Sequence, residues 1–290
     1  MERKTILVTG GAGFIGSHLC ERLVSLGFCD VYSLDNYFTG SKDNHVENVI
    51  YIQGSTNDIA QLITFKPDLI YHLGEYSRVE QSLLEIENVW RLNQEGTFAV
   101  LEFVRKVGCK IIYAGSSTKF GDDGLGRYSS PYAWFKACNT ELVKNYSVWY
   151  GIQYAITYFY NVYGHREIKE GNYATLIAIF KEKMRTNETL TVVSPGDQRR
   201  NFTHIDDIVE GLVLVGDKGY GDEYGIGHPD DYSVIEIAHM FGEDIEYLPK
   251  REGNRMNAPV ITSKTEALGW KATKAVDAYI MEAKKNNWNY

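Results

Sequence analysis

Ile6-Leu7-Val8-Thr9-Gly10-Gly11-Ala12-Gly13-Phe14-Ile15-Gly16 is the stretch on which the reading of this chain turns. Thr5 to Val8 suit a buried parallel strand, the glycines at 10, 11, 13 and 16 make a tight turn, and Ile15, Leu19 and Leu23 then repeat at helical spacing. Strand, loop and helix in that order aim backbone N–H groups and the positive end of a helix dipole at one spot. A pyrophosphate fits there, and side chains larger than hydrogen would block its approach. The next strand, Val31 to Leu34, is closed by Asp35, an acid placed to accept hydrogen bonds from ribose hydroxyls. A carboxylate repels a 2′-phosphate, so the expected dinucleotide is NAD rather than NADP.

Outward from this unit the pattern repeats. Val49 to Ile52 and Leu69 to Leu73 read as further apolar strands, with a short helix (Ile59, Leu62, Ile63) that ends before Pro67. A fifth strand ends at Gly115-Ser116-Ser117-Thr118 and a sixth spans Tyr154 to Tyr158. Strands alternating with helices imply a doubly wound parallel sheet of the Rossmann type, whose ligands lie beyond the carboxyl ends of the strands. Long helices are expected from about Leu83 to Val107 and from about Pro131 to Tyr150. Their surplus of apolar and aromatic residues, Trp90, Phe98, Phe103, Trp134, Phe135, Val143 and Trp149, points to a homodimer formed through these two helices. After the sixth strand the elements become shorter and more polar: helices near Ala174 to Met184 and Asp206 to Val215, and a strand at Leu190 to Val193. Residues 1–165 are therefore assigned to the dinucleotide domain and 166–290 to a smaller α/β substrate-binding lobe, interleaved with the first. Lys284-Lys285-Asn286-Asn287 reads as a frayed, solvated helix end.

Composition narrows the function classes. The 290 residues are 44% hydrophobic, enough for a large core, and the net charge of -8 with scattered lysines and arginines offers no basic face for nucleic acid. No apolar run reaches the roughly 18 to 20 residues needed to span a bilayer, and Met1-Glu2-Arg3-Lys4 leads straight into a strand, so a cytoplasmic protein is expected. Cys20, Cys29, Cys109 and Cys138 show no metal-ligand or disulfide spacing, and no metal is expected.

The chemistry is expected at Tyr132-Ala133-Trp134-Phe135-Lys136, which sets a phenol and an ammonium four residues apart on one helix face. A phenol ionises near pH 10 on its own; an adjacent cation favours the phenolate and makes Tyr132 a usable general base. Ser116, at the end of strand five, can hydrogen-bond the same substrate oxygen.

These motifs in this order resemble the extended short-chain dehydrogenase/reductases, specifically the nucleotide-sugar epimerases and dehydratases. Thr9-Gly10-Gly11-Ala12-Gly13-Phe14-Ile15-Gly16 resembles the family's Thr-Gly-x-x-Gly-x-x-Gly loop, Leu34-Asp35-Asn36 its ribose-binding turn, His72-Leu73-Gly74 its His-Leu-Ala, and Asn93-Gln94-Glu95-Gly96-Thr97 its Asn-Val-x-Gly-Thr. Ser116, Tyr132 and Lys136 match its catalytic triad. Tyr160-Asn161-Val162-Tyr163-Gly164, the segment from Arg200 to Asp207, Arg251-Glu252-Gly253 and the stretch from Ser263-Lys264 to Leu268-Gly269-Trp270 are similar to its later motifs. The resemblance implies NAD contacts from Gly10, Gly13, Phe14, Ile15, Gly16, Asp35, Asn36, Ser55, Leu73, Gly74, Tyr132 and Lys136. It implies substrate contacts from Asn161, with Arg200 and Arg251 on the diphosphate, and Ser117 beside them. Glu75-Tyr76-Ser77-Arg78 departs from the family's small-residue version and borders the sugar pocket, so Glu75, Tyr76 and Arg78 are candidate sugar contacts. Ser55 stands where relatives usually carry an aspartate against the adenine.

The resemblance implies oxidation at sugar carbon 4. Dehydratases of the family carry an acidic pair after the catalytic hydroxyl, and decarboxylases a glutamate; this chain has Ser117 and Thr118. The expected activity is therefore nucleotide-sugar 4-epimerisation of the UDP-glucose type. The alternatives are a 4-dehydrogenase or 4-keto reductase on a hexose or heptose in surface polysaccharide biosynthesis, less favourably a 4,6-dehydratase, and, outside enzymes, an NAD-sensing binding protein.

Overall fold

Along the chain, a computed structural model describes residues 3–249 and 259–289. The elements are β1 (Lys4–Thr9), α1 (Phe14–Ser25), β2 (Cys29–Asp35), β3 (Val49–Gln53), α2 (Ile59–Leu62), β4 (Leu69–His72), α3 (Ile86–Val89), α4 (Gly96–Val107), β5 (Lys110–Ser116), α5 (Pro131–Tyr150) and β6 (Tyr154–Phe159). Next come β7 (Val162–Tyr163), α6 (Leu176–Thr186), β8 (Leu190–Val193), β9 (Arg199–Asn201), β10 (Thr203–His204), α7 (Ile205–Lys218), β11 (Gly221–Ile226), β12 (Asp231–Ser233), α8 (Val234–Phe241), β13 (Ile245–Leu248), α9 (Ser263–Glu266) and α10 (Val276–Lys285).

Seven strands form one parallel sheet in the order β11-β6-β5-β4-β1-β2-β3. The order reverses between β1 and β4, and that switch point opens a crevice at their carboxyl ends. Both faces are covered, as a parallel sheet requires. Leu19 and Leu23 of α1 pack with Ile208, Leu212 and Val215 of α7 over one face, and Val100, Leu101 and Val104 of α4 pack with Val143 and Tyr146 of α5 over the other. A third cluster joins α6, β8, α8 and α10 through Phe180, Val192, Phe241 and Ile280. The polypeptide returns to the large sheet after residue 200, since α7 and β11 both belong to it. Three two-stranded sheets pair β7 with β10, β9 with β12 and β8 with β13.

Two local expectations change. The helix expected from Leu83 to Val107 starts at Ile86 and contains a π-helical turn over Trp90–Glu95. The wider turn lets Asn93 reach sideways: its Oδ1 accepts from Tyr76 N at 2.6 Å and its Nδ2 donates to Tyr76 O at 3.0 Å. The C-terminal segment is solvated at Lys284 to Asn287 but not frayed, because Trp288 is buried and stacks on Phe241 at 5.3 Å between ring centroids. Among the described residues no helix is long and apolar enough to cross a membrane, no group of metal-ligating side chains converges, and the four cysteines are unpaired.

Candidate active site

The crevice at the switch point is a cavity of about 560 Å³. Its floor at one end is the glycine turn after β1. Gly10 has φ +75, a left-handed conformation, and an added Cβ would lie 2.9 Å from Gly74 Cα, so β1 and β4 approach to within backbone contact there. At Gly16 an added Cβ would lie 2.0 Å from Gly10 O. The cradle is made by the absence of side chains. Asp35 closes it: its Oδ2 accepts from Ala12 N at 2.9 Å and its Oδ1 from Tyr37 N at 2.7 Å. Burial raises the Asp35 pKa, and those two N–H groups pull it back down. Backbone donors at a helix N-terminus, a contact-tight glycine turn and a fixed carboxylate together fit a dinucleotide's pyrophosphate and ribose. Gly10, Gly13, Phe14, Ile15, Gly16, Asp35, Asn36, Leu73 and Gly74 all line the cavity.

Tyr132 and Lys136 line the same cavity one helical turn apart. The start of α5 is fixed by Ser130, whose Oγ accepts from Ala133 N at 3.2 Å, and by Tyr132 N donating to Ser82 Oγ at 3.3 Å. Lys136 is buried and donates to Ala114 O, at the end of β5, and to the Glu75 carboxylate. The other oxygen of Glu75 accepts from Thr97 Oγ1 (2.9 Å), Tyr113 OH (3.1 Å) and Asn139 Nδ2 (3.2 Å). The network continues inward from Thr97 to His72 Nε2 (3.1 Å) and from His72 Nδ1 to Thr9 Oγ1 (2.8 Å). Burial drops the His72 imidazole to about 4, so it is neutral and structural.

The opposite wall is made of side chains. Arg78 donates through Nε, at 2.9 Å, and through Nη2 to Tyr173 O, which ties the loop after β4 to the segment before α6. Tyr132, Tyr76, Glu167 and Tyr173 are the titratable groups around its guanidinium. Asn161 has φ +36 and donates to Asn201 O at 3.0 Å; Arg200 donates to Arg199 O at 2.8 Å; both line the cavity. Glu167 and Gln198 also line it. Glu167 accepts from Gly164 N at 2.9 Å and from Thr175 Oγ1, and burial pushes its carboxyl up to about 7. No local signal in His165-Arg166-Glu167 marks this residue in the sequence; only the fold of the 164–175 segment brings it inward.

Ser116, Ser117 and Ser55 stand outside the lining. Ser116 ends β5 next to the cavity-lining Gly115, and its hydroxyl pairs with Thr118 Oγ1 at 2.9 Å, capping a 3-10 turn. Ser117 is buried in that turn, outside the lining. Ser55 caps a second such turn, accepting from Asn57 N, and also stands outside the lining. Glu75 lines the cavity, but its carboxylate is engaged by Lys136, Thr97, Tyr113 and Asn139. Arg251 lies outside the described residues.

Comparison with known proteins gives a family and a range of activities. The model of a family described as NAD dependent epimerase/dehydratase matches residues 6–227. A Methanocaldococcus jannaschii protein, provisionally named UDP-glucose 4-epimerase, is 32% identical over 286 residues, covering 92% of each chain. UDP-glucuronic acid decarboxylase 6 of Arabidopsis thaliana is 30% identical, covering 92% of this chain and 83% of its own. The crystal structure of Thermotoga maritima UDP-glucose 4-epimerase with UDP-glucose superposes with a TM-score of 0.89 at 25% identity, over 98% of this chain and 100% of that one.

Proposed function

This chain belongs to the NAD-dependent epimerase/dehydratase family, enzymes of the extended short-chain dehydrogenase/reductase type, and from that premise we propose that it is a nucleotide-sugar 4-epimerase. When bound, NAD supplies the hydride acceptor and donor. Tyr132 takes the proton of the carbon 4 hydroxyl and returns it once the ketosugar has turned its other face. Lys136 supplies the positive charge that favours the phenolate. Asp35 and the glycine cradle hold the dinucleotide, Asn161 and Arg200 hold the sugar nucleotide, and Arg251 is proposed to join Arg200 on the diphosphate. Tyr76 and Arg78 border the sugar, and Ser116 reaches the reacting oxygen if its bond to Thr118 yields.

The observation that carries this reading is the pair of residues directly after Ser116. The dehydratases and decarboxylases that the sequence resembles carry their further acidic residues directly after the catalytic hydroxyl. Ser117 and Thr118 are hydroxyl residues that do not titrate usefully, and Thr118 is bonded back to Ser116. Epimerisation needs only oxidation, rotation and return of the hydride. A homodimer is proposed as well, supported by the exposed Trp90, Phe98, Trp134 and Trp149, whereas Phe103 and Val143, expected on the same face, are buried in the core between α4 and α5.

The test is incubation of the purified protein with UDP-glucose, UDP-galactose and UDP-glucuronic acid separately. Interconversion of the two hexoses without lasting NADH absorbance is expected. Accumulated NADH, a 6-deoxy-4-keto product or carbon dioxide from the glucuronic acid would each replace the proposal with a different outcome of the same first step. Mass spectrometry of co-purifying nucleotides identifies the base and sugar independently.

A further inference from the structure

We propose that Glu75 is a positioning residue for the proton-transfer pair: it fixes Lys136 in place and keeps it an ammonium beside Tyr132 before any ligand enters. The inference rests on the reading of Tyr132 as the base and goes beyond it, because Glu75 is this chain's own departure from the small residues common at that position. Three donors, Thr97, Tyr113 and Asn139, converge on one oxygen of Glu75 and leave the other facing Lys136. A carboxylate held by that many donors is fixed in one orientation. Its partner needs it. The side chains of Lys136 and Glu75 are 5% and 4% exposed, and a lysine so buried without a counter-charge gives up its proton. Burial does push Lys136 down and Glu75 does pull it back.

The groups facing this pair come from several elements. Tyr113 of β5 has its ring 4.4 Å from Lys136 Nζ, and His72 of β4 is within electrostatic reach of both Glu75 and Lys136. Arg78, after β4, lies close to Tyr132. His72 is neutral and Tyr113 is held far above its ordinary range by burial, so neither replaces the charge of Glu75.

The test is an ultraviolet titration of the Tyr132 phenol, taken as the difference between the parent and Tyr132→Phe, with and without NAD. In Glu75→Gln the amide still accepts a hydrogen bond from Lys136 but carries no charge. The phenol is expected to titrate about one pH unit or more higher. The acid limb of the kcat profile should rise equally, with kcat near neutrality down about tenfold and the sugar-nucleotide KM unchanged. Glu75→Asp should recover part of the shift. A phenol titrating where the parent's does, or lower, overturns the proposal; a lower value means that Glu75 screens Lys136 instead. If Glu75→Gln does not fold, Thr97→Val, which removes one donor from Glu75, must raise the titration by a smaller amount, and no change there is equally fatal. An unshifted Glu75→Gln with an inactive Tyr132→Phe rejects Glu75 alone, whereas an active Tyr132→Phe rejects the reading beneath it.

Discussion

The two ends of the cavity are built from different materials. At the dinucleotide end the chain removes side chains: at Gly10 and Gly16 an added Cβ would run into backbone, and Asp35 is held by the N–H groups of Ala12 and Tyr37. At the end proposed for the sugar it adds them: Tyr76 and Arg78, Glu167, and Gln198 and Arg200 come from three segments, with Arg78 bonded to Tyr173 O and Glu167 to Gly164 N. A backbone cradle tolerates little change because its contacts are with main-chain atoms that cannot rotate away. A side-chain wall can be refitted, which suits a surface that must distinguish one sugar from another. Tyr132 and Lys136 stand where the two meet.

That division predicts where substitutions act. The largest effect is expected at the junction: Tyr132→Phe should lower kcat by roughly 10² to 10⁴ with NAD affinity unchanged. Steady-state kinetics beside calorimetric NAD titration read the two separately, and loss of NAD binding would mean that the phenol belongs to the cradle. Next comes Gly16→Ala. Its methyl would lie 2.0 Å from Gly10 O, and the turn must open to admit it. NAD should bind about 100-fold more weakly, a loss of ~3 kcal/mol, while any sugar-nucleotide binding measured without NAD persists. An alanine variant with parental NAD affinity would show that the turn is not the cradle.

A smaller effect separates the acids of the two ends. Glu167 titrates at about 7 against an ordinary 4.5, so the folded protein holds a proton that the unfolded chain releases. Its contribution to stability is complete below pH 4.5 and is lost as pH rises through about 7, at no more than ~1.4 kcal/mol per pH unit. Urea denaturation across that window should show this slope in the parent and its absence in Glu167→Gln. Parallel profiles would mean that the Glu167 carboxyl is ionised throughout.

The same division explains what could be read from residue order alone. The seven-residue span from Gly10 to Gly16 and the acid closing β2 are local, and their chemistry is dictated by what a tight turn and a helix start require. The sheet, its helices and the Tyr132 and Lys136 pair were legible for that reason. Glu167 was not, because it is exposed or buried according to how the 164–175 segment folds over the cavity. Nor was the partner of Glu75: it departs visibly from its surroundings in sequence, but its engagement with Lys136 depends on β4 and α5 meeting 61 positions apart. The π-helical turn at Trp90–Glu95 has no periodic signature, yet it lets Asn93 pin the backbone of Tyr76. The bond between the Ser116 hydroxyl and Thr118 Oγ1 at the end of β5 likewise has no signal in residue order.

The mildest change tests whether the two ends are separable at all. Arg78 grips Tyr173 O through two N–H groups, a fork that a planar guanidinium makes and an ammonium does not. Arg78→Lys keeps the charge near Tyr132 while surrendering one arm of that grip, so the wall should loosen without changing the electrostatics of the base. The expected result is a KM for the sugar nucleotide raised about tenfold, ~1.4 kcal/mol, with kcat and NAD affinity close to the parent's. If NAD affinity falls as far as KM rises, the loop from Gly74 to Arg78 is transmitting strain to Gly10, which it touches, and the cavity has to be treated as one mechanical unit. If only KM moves, the cradle and the wall are independent, and the sugar end can diverge between relatives while the dinucleotide end stays fixed.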